Sequence, residues 1–208
     1  TCCGDPARRL GYELLFQSMA QANIKTFQEH GIEQIITTCP HCYNAFKNEY
    51  PEMGGNFSVS HHSEILADLL LKRTIKVHPA KDSLTYTYHD ACYLGRYNDV
   101  FDSPRKALQF ALGERPKEMS FSRSKSFCCG GGGAHAWLEE AGEKRINDFR
   151  IEQALTTGAD IVATACPYCL QMLENAVEKK EAAESIKVLE KKLKIMDLAE
   201  IVEQSIYR

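Results

Sequence analysis

Hydrophobic residues in this chain fall into short runs separated by turn signals and amphipathic stretches. Three runs are rich in β-branched or aromatic residues, which is typical of short strands: "EQIITT" (33–38), "SLTYTYHD" (83–90) and "DIVATA" (160–165). The first is apolar enough to predict a buried strand. Each run ends at or just before a cysteine.

Helical patterns alternate with these strands. Asp5 and Pro6 form a favourable helix start, and Leu10, Leu14 and Leu15 begin an apolar stripe that ends at Gly31. Further helices are predicted over 43–50 up to Pro51, from 103 to Gly113, from about 134 to 155, and from about 168. This alternation predicts an α/β fold, in which ligands bind beyond the carboxyl ends of the strands.

A repeat organises the chain. "TCCGDPARRLG" returns as "FCCGGGGAHAW", and "GIEQIITTCPHC" returns as "GADIVATACPYC". Cys3 precedes Cys39 by 36 positions and Cys129 precedes Cys166 by 37, and "HHSEILADLL" is echoed by "KIMDLAEIVE". The sequence therefore predicts two similar units, residues 1–80 and 81–208.

The second unit carries one cysteine more than the first. Cys92, in "HDACYLGR", lies 36 positions before Cys128. By the same spacing, the first unit would need a further cysteine about 36 positions before Cys2. We therefore expect this sequence to be the C-terminal part of a longer polypeptide, truncated within its first unit.

Composition and charge narrow the classes of function. The 208 residues are 44% hydrophobic, which is enough for a core, and a net charge of −3 argues against nucleic-acid or anionic-membrane binding. The longest apolar run, "ILADLLL", is interrupted by Asp68, so no membrane span is predicted in this segment.

Nine clustered cysteines indicate metal ligation in a reducing compartment, and hence a cytoplasmic location. Membrane association through a preceding part of the polypeptide or through a partner stays open.

The cysteines divide into two groups, which we name here. The first cysteine set is Cys2, Cys3, Cys39 and Cys42, and the second cysteine set is Cys92, Cys128, Cys129, Cys166 and Cys169. Adjacent cysteines make a strained disulfide, whereas iron–sulfur clusters are held by cysteine thiolates, usually four. Five thiolates hint at an unusual cluster. The four glycines that follow would let bare backbone approach it and point N–H groups at its sulfides: Gly130, Gly131, Gly132 and Gly133.

Other interpretations remain open. Zinc uses Cys-x-x-Cys pairs too, and four cysteines in the first unit suit it better than five in the second. "CPHC" and "CPYC" are also similar to the active sites of thioredoxin-fold enzymes, but the 39 residues after Cys169 contain no proline for the loop that this fold requires. His41 and His89 either support a metal site or are ordinary polar residues. Arg8, Arg9 and Arg96 either offset cluster charge or face solvent.

The motifs resemble a known family. Cys92, then "CCG" at 128–130, then "CPYC" at 166–169 resembles the cysteine-rich CCG domain, which occurs in duplicate in heterodisulfide reductase catalytic subunits and in glycolate oxidase iron–sulfur subunits. "CCGDPARRLG" with "TTCPHCYNAFKNEYP" is most similar to large heterodisulfide-reductase-related oxidoreductases, some of which pass electrons between electron-transfer flavoprotein and a quinone. The resemblance covers essentially the whole chain.

This resemblance implies an iron–sulfur oxidoreductase similar to heterodisulfide reductase, with the segment alone expected to be inactive. The second cysteine set would bind a [4Fe–4S] cluster, with a non-cubane form left open, and the first set a second [4Fe–4S] cluster or zinc. We expect two pseudo-symmetric Rossmann-like α/β halves with the cluster-binding cysteines at strand ends. Electrons would come from a flavoprotein or ferredoxin-type partner and reach a disulfide or a quinone-linked acceptor. A subunit that only relays electrons or acts as a scaffold is the alternative.

Overall fold

The computed structural model describes residues 2–78, 84–138, 144–182 and 193–207. These contain eight α-helices, which are α1 (Asp5–Arg9), α2 (Glu13–Glu29), α3 (Pro40–Asn44), α4 (His62–Leu71), α5 (Asp102–Leu112), α6 (Ile146–Leu155), α7 (Pro167–Ala182) and α8 (Leu198–Ile206). The strands in the same residues are β1 (Gln34–Thr37), β2 (Ser58–His61), β3 (Tyr86–Tyr88), β4 (Ile161–Thr164) and β5 (Lys194–Asp197). The predicted mixture of helices and parallel strands is confirmed.

The strands form two small sheets, and every pairing is parallel. β1 pairs with β2, and β4 lies between β3 and β5 in the second sheet. Every residue of β4 is buried, whereas β1 alternates between exposed and half-buried and Ile36 is 62% exposed. The expectation that 33–38 form a buried strand is therefore wrong, because the side chains on one face of β1 are left exposed.

The two units repeat the same local order. In each, a strand leads into a helix that carries a Cys-x-x-Cys motif, and a second parallel strand leads into a capped helix. His61 ends β2 and caps α4, with Glu64 completing a capping box, and Asp197 with Glu200 does the same for β5 and α8. The weak sequence echo thus has a structural basis. The pseudo-symmetry of two Rossmann-like halves stays a prediction.

The N-terminal helix is broken where one continuous stripe was expected. Gly11, at a φ of 86°, separates α1 from α2 and resets the helical phase. As a result, three stripe residues are exposed: Leu10, Leu14 and Leu15. The buried face of α2 consists instead of Phe16, Ala20, Asn23 and Ile24.

Two other helix boundaries differ from expectation. The helix expected from about 134 begins only at Ile146, because Ala134 has a φ of 65° and the chain then makes a single 3₁₀ turn over His135–Trp137. Residues 139–143 of that segment lie outside the described residues. Pro51 does not stop the first-unit helix, since it lies in a 3₁₀ turn, Tyr50–Met53, where a proline near the start loses no hydrogen bond.

Two hydrophobic cores position the cysteines. A small core around Phe16 and Tyr50 includes Cys3, and a larger core around β4 includes three of the second set: Cys129, Cys166 and Cys169. Ala67 and Leu70 of α4 join the larger core, so the two predicted units share apolar packing. The division at residue 80 stays a prediction. In the part of the chain that the structure describes, no helix is both long and apolar enough to cross a membrane.

Candidate metal centres

The five sulfurs of the second cysteine set converge, although they come from separate segments. Interactions between neighbouring cysteine side chains connect them in one continuous row, which runs Cys92–Cys128–Cys129–Cys169–Cys166. Three of these residues are buried and two, Cys92 and Cys128, are half-buried. Cys166 follows the carboxyl end of β4 and Cys92 that of β3, where ligands of parallel sheets bind. The structure thus brings together the residues predicted to bind one inorganic group; their role as ligands stays a prediction.

The glycine run places bare backbone against the second set. Gly130 has a φ of 84°, and its N–H donates to Cys128 Sγ at 3.3 Å, while the Gly131 N–H donates to Cys129 Sγ at 3.5 Å. A Cβ at Gly131 would lie 2.9 Å from Met172 Cγ and 3.7 Å from Cys129 Sγ, so the site has no room for a side chain there. The expected N–H groups therefore point at cysteine sulfurs at two of the four glycines.

The first cysteine set forms a similar row, which runs Cys2–Cys3–Cys42–Cys39. Gly4, at a φ of 88°, donates its N–H to Cys2 Sγ at 3.4 Å, so the Cys-Cys-Gly turn is built alike in both units. Two buried polar side chains hold this turn. The Tyr50 hydroxyl donates to the Cys3 carbonyl at 3.0 Å, and Asn23 Nδ2 donates to the Cys2 carbonyl at 2.9 Å.

His41 lies between the two sets. Its Nδ1 is 3.8 Å from Cys39 Sγ, and its side chain also interacts with Cys166, so a single imidazole lies between the two rows of sulfurs. The rings of Tyr93 and Tyr168 pack on it, with centroids 4.4 and 4.7 Å away. Gly132 faces the same region, because a Cβ added there would meet only His41 Nε2 within 4 Å.

Each row contains cysteines whose surroundings favour the thiolate and others whose surroundings favour the thiol. The hydrogen bond from Cys42, helped by His41, lowers the pKa of Cys39 to about 4 against the effect of burial. Bonds from Cys129 and Cys92 lower the pKa of Cys128 to about 2. Burial raises the pKa of Cys166, but bonds from Cys169 and His41 outweigh it and bring the value to about 6. Each set therefore already stabilises thiolates, the form that binds metal.

Burial lowers the pKa of His41, but its bonds to Cys166 and Cys39 outweigh that effect and raise the value to about 10. A protonated imidazole between two rows of thiolates offsets part of their negative charge. The interpretation of His41 as a residue that supports the cysteine sites is thus favoured by its contacts.

The donor set fits a sulfur-bound cluster better than a zinc ion in the second unit. Zinc in structural sites takes four ligands in a tetrahedron, whereas five sulfurs adjoin one another here, with two N–H groups aimed at them. A ring nitrogen of His89 and the sulfurs of Cys129 and Cys169 also lie within 4.8 Å of one another. His89 is thus close enough to the sulfurs to take part in the site.

Two buried charged groups near the second set were missed in the sequence. Arg150, fully buried on α6, donates from Nε to His89 Nδ1 at 2.8 Å. Asp90 receives both Nη atoms of Arg105, at 2.7 and 2.9 Å. The signal for Asp90 was its place beside His89 in "HDACYLGR", but nothing in the sequence marks Arg150 as buried.

The arginines that the sequence did single out have other partners. Arg8 and Arg9 pair with Glu49, and Arg9 also binds Asp5 at 3.2 Å. Arg96 donates to the Ser126 carbonyl at 2.5 Å. Arg8 and Arg9 form ion pairs with carboxylates and not with sulfurs. Their charges therefore neutralise acidic side chains and not the cysteines.

Residues 1–47 and 86–174 match the family model of the CCG cysteine-rich domain, which is more than half of the chain. The chain belongs to this family. Both matched stretches contain a Cys-Cys-Gly turn, and the second reaches from β3 to the middle of α7.

Three relatives illustrate the range of the CCG family. An EtfAB:quinone oxidoreductase of Syntrophomonas wolfei is 45% identical over 91% of this chain and 27% of its own length. The probable iron–sulfur-binding oxidoreductase FadF of Bacillus subtilis is 44% identical over 98% of this chain and 28% of its own. One subunit of the dihydromethanophenazine:CoB–CoM heterodisulfide reductase of Methanosarcina barkeri is 32% identical over 99% of this chain and 49% of its own. The chain thus spans less than half the length of each.

Proposed function

We propose that this chain is the cluster-binding part of an iron–sulfur oxidoreductase. Electrons come from a flavoprotein or ferredoxin-type partner and reach a disulfide or a quinone-linked acceptor. The observation that carries this proposal is the convergence of nine cysteine sulfurs into two rows joined through His41. The names of three relatives support it, since they include a quinone oxidoreductase, an iron–sulfur-binding oxidoreductase and a heterodisulfide reductase component.

The second cysteine set would hold a [4Fe–4S] cluster, with its five cysteines as ligands. Such a cluster, when bound, accepts and releases single electrons. The chain's own contribution is the backbone N–H groups of Gly130 and Gly131, which already donate to cysteine sulfurs. N–H groups aimed at cluster sulfurs stabilise the more negative, reduced state, so this turn would raise the reduction potential.

The first cysteine set would supply four ligands for a second cluster or for zinc. Its four sulfurs adjoin one another, and Tyr50 and Asn23 hold the backbone of Cys2 and Cys3 in place. A cluster here would lie one imidazole away from the second set. That proximity favours transfer of electrons between the two sites over two unconnected functions.

We infer that the electron acceptor binds beside the second site. At Gly132 the backbone carries no side chain, and the nearest atom that a Cβ would meet is His41 Nε2 at 3.9 Å. Tyr168 and the 63% exposed Trp137 pack edge to face, with centroids 5.6 Å apart, over the same segment. This gives the region both open backbone and aromatic surface, as an acceptor site requires.

The test is metal analysis of the full-length protein, purified without oxygen. We expect iron and acid-labile sulfide in nearly equal amounts, with a low-temperature EPR signal after reduction. Zinc without sulfide would contradict the proposed cofactor. Replacing Cys129 by Ser should remove the signal of the second site, whereas replacing the exposed Ser18 by Ala should leave it unchanged.

A pure electron relay is the second candidate, because the sulfurs of Cys129, Cys166 and Cys169 are buried. The two candidates differ in one measurement. If the reduced protein, mixed with a disulfide or a quinone analogue, shows an altered EPR signal in the second site, that site meets its acceptor directly. An unchanged signal, with electrons passed only to a protein partner, would favour the relay.

A further inference from the structure

His89 lies directly beyond the end of β3 and is held rigidly. It is 1% exposed, and its backbone N–H donates to the Ala163 carbonyl of β4 at 2.8 Å. A ring nitrogen lies within 4.8 Å of the sulfurs of Cys129 and Cys169. By distance alone, His89 qualifies as a nitrogen ligand to a metal bound by those two cysteines.

The contact with Arg150 argues against that role. A guanidinium can only donate hydrogen bonds, and Arg150 Nε lies 2.8 Å from His89 Nδ1, so Nδ1 must accept. The neutral ring then carries its proton on Nε2. Nε2 is buried and has no hydrogen-bond partner among the described residues. With Nδ1 occupied, Nε2–H is the ring group left to donate a hydrogen bond, and a protonated nitrogen cannot ligate a metal.

Arg150 is fixed on every side. Besides His89, it donates to the Phe121 carbonyl at 2.9 Å, to Gln153 Oε1 at 2.7 Å and to Ser126 Oγ at 3.2 Å. These four acceptors orient the guanidinium plane, so that its Nε–H has no other direction in which to point. The tautomer of His89 is therefore determined by packing around α6 and not by chance.

The charge of Arg150 lacks a carboxylate partner. Burial lowers the pKa of Arg150 to about 10, which still leaves it charged at neutral pH. Among the described residues no carboxylate lies within ion-pair distance of it, since Asp90 is held through both oxygens by Arg105. A fully buried cation without a counter-charge is costly. Asp90, although beyond ion-pair distance, contributes most to the electrostatic stabilisation of the Arg150 charge, and the second-set cysteines Cys169, Cys129 and Cys128 add to it.

We propose that Arg150 and His89 form a fixed cationic support of the second metal site, in which His89 donates its Nε2–H to metal-bound cysteine sulfur and is not a ligand. The inference rests on the proposed function, because it assumes a cluster on the second set. His89 and Arg150 are positioning residues here. They stabilise the more negative, reduced state of the site, so they raise its reduction potential.

The first experiment measures the nitrogen coupling directly. The full-length protein with its cluster is prepared with ¹⁵N-labelled histidine, both unsubstituted and as His89→Leu, reduced, and measured by electron–nuclear double resonance. We expect a weak nitrogen coupling, as for an N–H group beside a ligand sulfur. A strong coupling, as for a nitrogen bonded to iron, that disappears in His89→Leu would show that His89 is a ligand and would overturn the proposal.

The second experiment tests whether the effect of His89 comes from its N–H donor or from its ring. In His89→Leu we expect iron and sulfide to stay at the level of the unsubstituted protein, while the reduction potential of the second site shifts to more negative values. His89→Gln, which keeps a neutral N–H donor, should recover part of that shift. Arg150→Met should also shift the potential downwards. Arg115→Met, which removes one exposed charge, is the matched control and should leave it unchanged.

The possible outcomes distinguish a failure of this inference from a failure of the proposed function. If the unsubstituted protein holds no iron and sulfide, the proposed function fails and the inference with it. If the cluster is present but His89→Leu loses as much iron as Cys129→Ser, or leaves the potential unchanged, only the inference fails.

Discussion

The two cysteine sets share a backbone design but differ in their surroundings. Both are built on a Cys-Cys-Gly turn whose glycine is left-handed, with φ values of 88° at Gly4 and 84° at Gly130. Around the first set, Arg8 and Arg9 are matched by the carboxylates of Asp5 and Glu49. Around the second, Arg150 has no carboxylate partner among the described residues. The same motif therefore carries different electrostatics, and we expect a higher reduction potential at the second site.

Burial separates the two sets as well. The first row ends at Cys2, which is exposed, whereas the second row ends inside the large core at Cys166. In a site that solvent does not reach, a lost sulfur ligand cannot be replaced by water. At an exposed cysteine, a water molecule can take its place. The comparison thus predicts that equivalent substitutions have larger effects in the second unit than in the first. The following predictions test this, from the largest expected effect to the smallest.

Removing one sulfur from each set gives the sharpest contrast. Cys169→Ser should abolish nearly all iron binding by the second set, because Cys169 is buried between Cys129 and Cys166 in the row. Cys2→Ser should have a weaker effect, since Cys2 is exposed and ends its row. Iron, sulfide and EPR intensity per chain measure both. Equal losses would contradict the difference between the two sets.

The loss of an ion pair should likewise cost more stability in the second unit than in the first. Asp90 and Arg105 have side chains only 3% and 9% exposed, so Asp90→Asn breaks a buried ion pair. Because Glu118 stays bonded to Arg105, we expect a cost of about 3 kcal/mol in the free energy of unfolding, the lower end for such pairs. Glu52, 66% exposed beside Arg8, is the matched first-unit residue, and Glu52→Gln should cost less than about 1 kcal/mol. Urea unfolding of the two variants gives both values. A similar cost for the two would argue against the burial contrast.

The glycine turns can be tested against a third left-handed glycine. Gly11 has a φ of 86°, and a Cβ added there would have nothing within 4 Å, so Gly11→Ala should cost only the backbone strain, about 1–2 kcal/mol. Gly4→Ala should cost more, up to about 3 kcal/mol, because its Cβ would lie 2.8 Å from Cδ2 of the buried Phe16. Gly130→Ala, with Ile146 Cβ at 3.3 Å, should fall between them. Another order in urea unfolding would show that these turns relax.

The smallest effect concerns acid stability. Partial burial raises the pKa of Glu118, but its bonds from Arg105 outweigh this and hold the pKa below the ordinary 4.5. A lowered carboxyl pKa adds stability above the unfolded value, and that contribution disappears as the pH falls through the folded value. Glu118→Gln should therefore lower stability more at pH 6 than at pH 3. Unfolding curves at both pH values test this, with a substitution of the exposed Ser18, Ser18→Ala, as the control.

Much of the site could be predicted from spacing alone. The repeat placed Cys39 and Cys166 just beyond strands, and both follow the carboxyl ends of parallel strands, β1 and β4. The glycines that follow Cys129 predicted bare backbone beside the sulfurs, and the N–H groups of Gly130 and Gly131 donate to cysteine sulfurs. Such local signals survive because backbone preferences and strand ends depend on neighbouring residues.

Other features could not be predicted. The stripe of Leu10, Leu14 and Leu15 is exposed because one glycine changed the helical phase, and one face of β1 is exposed although its run of residues is apolar. Periodicity does not show which face meets a core. Arg150 is a further example, since an arginine in a helix is expected in solvent and here it is fully buried.

The sequence by itself determined which sulfurs belong together, because the repeat and the strand ends bring each set to one edge of a parallel sheet. Only the tertiary structure decided how the two sets relate. His41 reaches Cys166 across the units, and Arg150 reaches His89 from a helix 61 positions away. Charges act through space and not along the chain, so the electrostatic difference between two matching motifs emerges only once the chain has folded.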